Sequence, residues 1–155
     1  MSLRTALLVL VALAAGCKPS LLPGTEIPET KDTRAVYDVL LAYRAALEKR
    51  DPNAVLALVA PSYFDNAGTP EPADDLDRAG LEASLAKDLP RTEGQKIDFT
   101  IRKIDIRGDE AVVEIFYDSF YRVKTDSTLV PRRDSDVSRV RLKRVEGQWK
   151  FVSGL

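Results

Sequence analysis

Histidine is missing from all 155 residues, and cysteine, methionine and tryptophan occur once each. Without histidine no Ser–His or Cys–His nucleophile can be assembled, because the activating imidazole is absent. Zinc sites rest on His and Cys, so only a carboxylate site for calcium or magnesium stays open. A single cysteine excludes an intramolecular disulfide, so stability must come from packing. Neither sign of charge dominates: 23 Lys and Arg stand against 24 Asp and Glu, for a net charge of −1. No global basic field therefore points to nucleic acid. The apolar stretch over residues 6–13 is too short for a bilayer core, which takes about 20 residues to cross.

What is present begins with an address. Met1-Ser2-Leu3-Arg4 is a short basic opening, residues 6–13 match the apolar region of a secretory signal, and Leu13-Ala14-Ala15-Gly16-Cys17 sets small residues before the lone cysteine. The pattern resembles a bacterial lipoprotein signal, with Ala14 where that family most often has Leu. The resemblance implies that residues 1–16 are a signal peptide, and that Cys17 is acylated on its thiol and on the amino group that cleavage frees. Acyl chains such as palmitate, more than one together, hold a protein firmly on a membrane. In that family an Asp after the cysteine favours the inner membrane. Lys18 stands there instead, which implies the outer membrane, lipid-anchored and facing the periplasm.

Residues 17–32 read as a flexible tether, broken by Pro19, Pro23, Gly24 and Pro28. One domain over 33–155 follows. Val36, Leu40, Tyr43 and Leu47 predict one helical face over 33–50, capped by Asp32 or Thr33. Asp51-Pro52 opens a short second helix that Pro61 ends. A third helix, capped by Asp74 or Asp75, carries Leu81, Leu85 and Leu89 on one stripe. From Lys96 the period becomes two. Ile97, Phe99 and Ile101 change phase to Ile104 and Ile106, the mark of a bulge near Arg102-Lys103. Residues 111–124 form a long strand and 125–131 a loop. Residues 135–145 are a strand with a slip near Ser138. A turn at Glu146-Gly147 leads to a last strand whose Trp149 and Phe151 point one way. Helices followed by long antiparallel strands make an α+β fold: three helices packed on a curved sheet of at least four strands.

The run Leu41-Ala42-Tyr43-Arg44-Ala45-Ala46-Leu47-Glu48-Lys49-Arg50-Asp51-Pro52-Asn53-Ala54-Val55-Leu56-Ala57-Leu58 resembles the opening of the nuclear-transport-factor-2-like (NTF2-like) superfamily. Val145-Glu146-Gly147-Gln148-Trp149-Lys150-Phe151 resembles its closing hairpin. The resemblance implies a cone of helices on a bent sheet around a cavity, which in some relatives is catalytic and in many is a binding or assembly module. It also makes Tyr43 similar in position to the hydrogen-bonding tyrosine of ketosteroid isomerases. Asp65 lies close to, but about two residues ahead of, their base, and Asp118 is a conceivable strand acid without a motif to align it. The alternative for Tyr43 is an ordinary core tyrosine.

Tyr63, Phe64, Tyr117, Phe120 and Tyr121 form an aromatic group. Tyr117 and Tyr121 share one strand face and Phe116 and Phe120 the other, so one face could line a cavity and the other a homodimer contact, with an ordinary core as the alternative to a ligand-lined cavity. Glu71, Asp74, Asp75 and Asp77 lack the spacing of a calcium loop and read as helix-capping residues, so no metal is expected. Arg139, Arg141 and Lys143 form a basic stripe that could meet anionic headgroups or an acidic partner, or pair with Glu114 and Asp118 on a solvated face. Three functional readings follow. The first is a lipid-anchored, non-catalytic module that holds a small apolar ligand or an envelope protein, with Tyr43, Tyr63, Phe64, Tyr117, Tyr121 and Trp149 as cavity candidates. The second is an isomerase- or dehydratase-type enzyme using Tyr43 and Asp65. The third is a structural accessory subunit of an envelope complex. None requires a cofactor.

Overall fold

The computed structural model describes residues 20–155. Cys17 and the signal-like segment lie outside the described residues.

The first described residues differ from the tether reading. The breakers Pro23, Gly24 and Pro28 shape a compact turn: Leu22 N–H donates to the Ile27 carbonyl (2.9 Å) and Glu29 N–H to the Ser20 carbonyl (2.7 Å). Leu22 is 1% exposed, so its burial pins this turn to the domain. The Tyr37 hydroxyl holds the Pro23 carbonyl from the adjoining helix.

That helix, α1 (Lys31–Glu48), starts two residues earlier than the periodicity predicts. Its cap is Thr30, whose hydroxyl accepts from Thr33 N–H while Thr33 caps Thr30 in return. Asp32 is left free for another role. Asp51 caps α2 (Pro52–Ala57) with Pro52 at the first helical position, as expected. A two-residue ribbon follows, of β1 (Phe64–Asp65) and β2 (Leu76–Asp77). Helix α3 (Arg78–Asp88) is capped by Asp77 rather than Asp74 or Asp75. Pro72 instead starts a separate turn over Pro72–Asp74.

The main sheet has four antiparallel strands in sequence order: β3 (Thr92–Arg107), β4 (Glu110–Lys124), β5 (Leu129–Val145) and β6 (Gln148–Ser153). The bulge predicted near Arg102 lies between Ile101 and Lys103. It keeps Ile97, Ile101, Ile104 and Ile106 facing inward although their spacing changes phase, and it bends the sheet over the helices. The slip expected near Ser138 is absent. The β4–β5 register runs unbroken from Glu110 opposite Lys143 to Lys124 opposite Leu129. Val137 therefore shares the outer face with Arg139 and is 44% exposed.

The core lies between the sheet's inner face and the helices. Val36 and Leu40 of α1 and Leu81 of α3 meet Ile101, Val113, Ile115, Val140 and Leu142, with Trp149 and Phe151 at the closed end. The segment after α2 is fastened to β6: Phe151 N–H donates to the Leu58 carbonyl and Ala60 N–H to the Phe151 carbonyl. Arg144 lies over the Trp149 ring (4.5 Å) and bonds Asp32 (2.8 Å) and Asp109 (3.1 Å), tying the start of α1 to the β3–β4 turn. No described helix is long and apolar enough to cross a membrane.

Candidate functional site: a cavity inside the cone

Toward the other end of the sheet the core does not close. A cavity of about 600 Å³ opens between α1, the end of α3 and the inner faces of β3, β4 and β5. That volume suits a drug-sized ligand. Alternation builds its wall. On β4 the odd-numbered residues Ile115, Tyr117, Ser119, Tyr121 and Val123 face inward, and on β5 the even-numbered Asp134, Ser138 and Val140 do.

Tyr43 enters from α1. Its ring stacks on Phe99 (6.2 Å between centroids) and tilts against Phe151 (5.2 Å). No hydrogen bond engages its hydroxyl among the described residues. Burial pushes the Tyr43 pKa well above the ordinary phenol range, and the Tyr63 and Tyr117 phenols add to the effect. Burial likewise raises Tyr117, helped by Asp134, whose carboxylate accepts the Tyr117 hydroxyl at 3.2 Å. Asp88, Arg91 and Asp134 line the cavity as exposed residues and so form its rim.

A second bulge, between Glu93 and Lys96, shapes the β3 wall. Gly94 takes φ +62° there, in the left-handed region that glycine adopts without a steric cost. The extra residue turns Gln95 into the cavity. Glu48 at the end of α1 accepts from Ile97 N–H (3.0 Å), and Arg50 donates to the Thr92 carbonyl (2.9 Å). The start of β3 is thereby fixed to α1.

The structure separates the sequence-predicted residues. Tyr43, Tyr117 and Tyr121 line the cavity. Trp149 is buried under Arg144 in the closed core and is not among the lining residues. Phe64 is 52% exposed. Tyr63 is buried in the core beside the cavity, where its hydroxyl donates to the Leu155 carbonyl (3.3 Å) and accepts from Leu155 N–H (3.2 Å). Burial is the main cause that pushes Tyr63 up to about 12.

Asp65 is not part of the wall. It accepts from Gly154 N–H (2.7 Å) and Ala67 N–H (3.0 Å), and so latches the chain's last residues, which do border the cavity. Asp118 lies on the outer face, held by two Arg133 hydrogen bonds of 2.9 and 2.7 Å. Those bonds keep its carboxyl below the usual range, the opposite of a protonated catalytic acid. Arg139, Arg141 and Lys143 share that outer face with Glu110 and Glu114, and Lys143 reaches Glu110 at 3.6 Å. The stripe is thus interleaved with carboxylates. No group of His, Cys, Asp and Glu suited to a metal occurs among the described residues. Gln95 and Ser119 are lining residues that sequence reasoning missed. Only the Glu93-Gly94-Gln95 break in alternation could have signalled the first.

No protein family model matches the chain, and no curated protein matches it. Solved structures do. A candidate dehydratase of the NTF2-like family from Streptomyces avermitilis superposes with a TM-score of 0.66 at 19% identity, over 79% of this chain and 93% of that one. A conserved protein from Planctomyces limnophilus gives 0.68 at 14%, over 79% and 92%. A ketosteroid isomerase-like protein from Erwinia carotovora atroseptica gives 0.65 at 15%, over 81% and 95%. At these identities the likeness is one of fold, and the fold of this chain is the NTF2-like cone, with helices over a curved antiparallel sheet.

Proposed function

We propose that this chain is a lipid-anchored envelope protein whose cone cavity holds a small, mainly apolar molecule without transforming it. The observation that supports the binding role is the wall itself: phenols, apolar side chains and a few neutral polar groups, with charged side chains only at the exposed rim. Acid–base chemistry needs a base within hydrogen-bond reach of the substrate's proton. Asp65 and Asp118 do not line the cavity and are engaged by the Gly154 amide and by Arg133. The anchor is read from the Leu13–Cys17 run.

Two measurements test the two halves. N-phenylnaphthylamine should bind the full chain with a rise in fluorescence. Ser138→Phe, which fills the cavity from β5, should abolish that rise, and binding that survives the substitution would place the ligand elsewhere. Cys17→Ser should move the protein from the membrane fraction to the soluble fraction, and unchanged membrane attachment would refute the anchor.

A second reading, an isomerase- or dehydratase-type enzyme, draws on the names of the structural neighbours and on the Tyr117–Asp134 pair. In that case this pair at the cavity border, rather than Tyr43 with Asp65, would supply the acid and base.

A further inference from the structure

We propose that the cavity contains a built polar recognition point at the β3–β4 seam, which selects a neutral ligand bearing a hydroxyl or primary amide on an apolar body. The inference rests on the cavity-binding reading above and adds the chemistry of the ligand.

Two atoms carry it. Ser119 Oγ and Gln95 Oε1 are both buried and both without a hydrogen-bond partner. Both side chains border the cavity. Ser119 is 6% exposed and is the one buried polar side chain among the described residues. Buried polar groups in native proteins almost always have partners; a third unpartnered atom, Trp149 Nε1, lies in the closed core, whereas these two side chains border the cavity, where a χ1 turn of Ser119 or a turn of the Gln95 amide presents the oxygen to a bound group. Their placement is local. Ser119 stands opposite Ile97, and Gln95 lies in the bulge that precedes the next pair, Lys96 opposite Phe120. Tyr117 and Tyr121 flank Ser119 on the same strand face, so rings bound the polar point along β4.

The pair specifies the ligand group. Gln95 Oε1 accepts and asks for a donor, while the Ser119 hydroxyl has a proton to give and asks for an acceptor. A hydroxyl or primary amide answers both. A carboxylate offers acceptors alone, and would sit beside Asp134, which faces Ser119 across the β4–β5 register. An ammonium offers donors alone and leaves the Ser119 proton unmet. Sites that hydrogen-bond a buried hydroxyl discriminate strongly against analogues that lack it.

The test titrates the full chain, by calorimetry, with 2-naphthol and with 2-methylnaphthalene, which match in size and differ in the polar group. The naphthol should bind at least about tenfold more tightly. Ser119→Ala with Gln95→Leu should bring the two affinities to within about twofold by weakening the naphthol alone. Ser119→Ala by itself removes one oxygen and no protein hydrogen bond, and it should already narrow the preference. Equal affinities in the wild type, or a preference that survives in the double variant, would overturn the recognition point while leaving the cavity reading intact. Failure of both compounds to bind would overturn the cavity reading and this inference with it.

Discussion

Replacing Tyr43 with phenylalanine should make the protein more resistant to alkali. The Tyr43 ring lies between Phe99 and Phe151, its side chain lines the cavity, and its hydroxyl makes no hydrogen bond among the described residues. Burial raises its pKa above the ordinary 10.0. A phenol raised in this way keeps its proton in the folded state after the unfolded chain has released it. The stability it represents is complete below about pH 10 and is lost as the pH climbs from there towards the folded pKa. One unit of pKa difference is worth about 1.36 kcal/mol, so by about pH 11 the wild type should have lost about 1.4 kcal/mol through this group alone. Near neutral pH the variant should lie within about 1 kcal/mol of the wild type, because the hydroxyl it removes is unpartnered. Urea unfolding followed by circular dichroism, in steps from about pH 8 to about pH 11, gives both numbers; the variant should gain on the wild type over the last step. Parallel profiles would show that the Tyr43 hydroxyl ionises as freely in the folded protein as in the unfolded chain, and the cavity interior would then be as wet as bulk solvent.

Two further predictions test how the ends of the described chain are held. Leu22→Ala should cost about 2–5 kcal/mol in urea unfolding, as a core truncation does; no change would restore the free tether that the prolines suggested. Gly154 has φ +93°, and a Cβ there would lie 2.5 Å from the Arg139 carbonyl oxygen. Gly154→Ala should therefore release the last two residues from Asp65 and Tyr63, at a cost on the order of 1–3 kcal/mol. The amides of residues 154 and 155 should then exchange with solvent faster than in the wild type, and unchanged exchange would show that the latch does not depend on this glycine.

Much of the architecture was legible because it depends on local periodicity. The α1 stripe, the Asp51-Pro52 start of α2, the bulge near Arg102 and the inward Trp149 and Phe151 each follow from side-chain spacing along one element. Inward and outward strand faces were equally readable on β4, where Tyr117 and Tyr121 share the cavity side. The misreadings have one cause, which is that local signals do not report long-range contacts. Pro23, Gly24 and Pro28 mark a turn and a tether alike, and only burial of Leu22 against the domain decides between them. Val137 reads as apolar and inward, but the unbroken β4–β5 register turns it out.

The candidate site divides along the same line. Composition alone removed every imidazole-based mechanism, because no fold can supply a residue the chain lacks. Spacing along α1 and β4 placed Tyr43, Tyr117 and Tyr121 on inward faces. Which carboxylates reach the cavity was decided by tertiary structure: Asp65 is drawn to the Gly154 amide, Asp118 to Arg133, and Asp134 to Tyr117. A carboxylate goes where its hydrogen bonds are met, and those partners lie 15 to 89 residues away along the chain. The same holds for Ser119 and Gln95. Their lack of partners exists only once the sheet has curved and packed both side chains into the cavity wall.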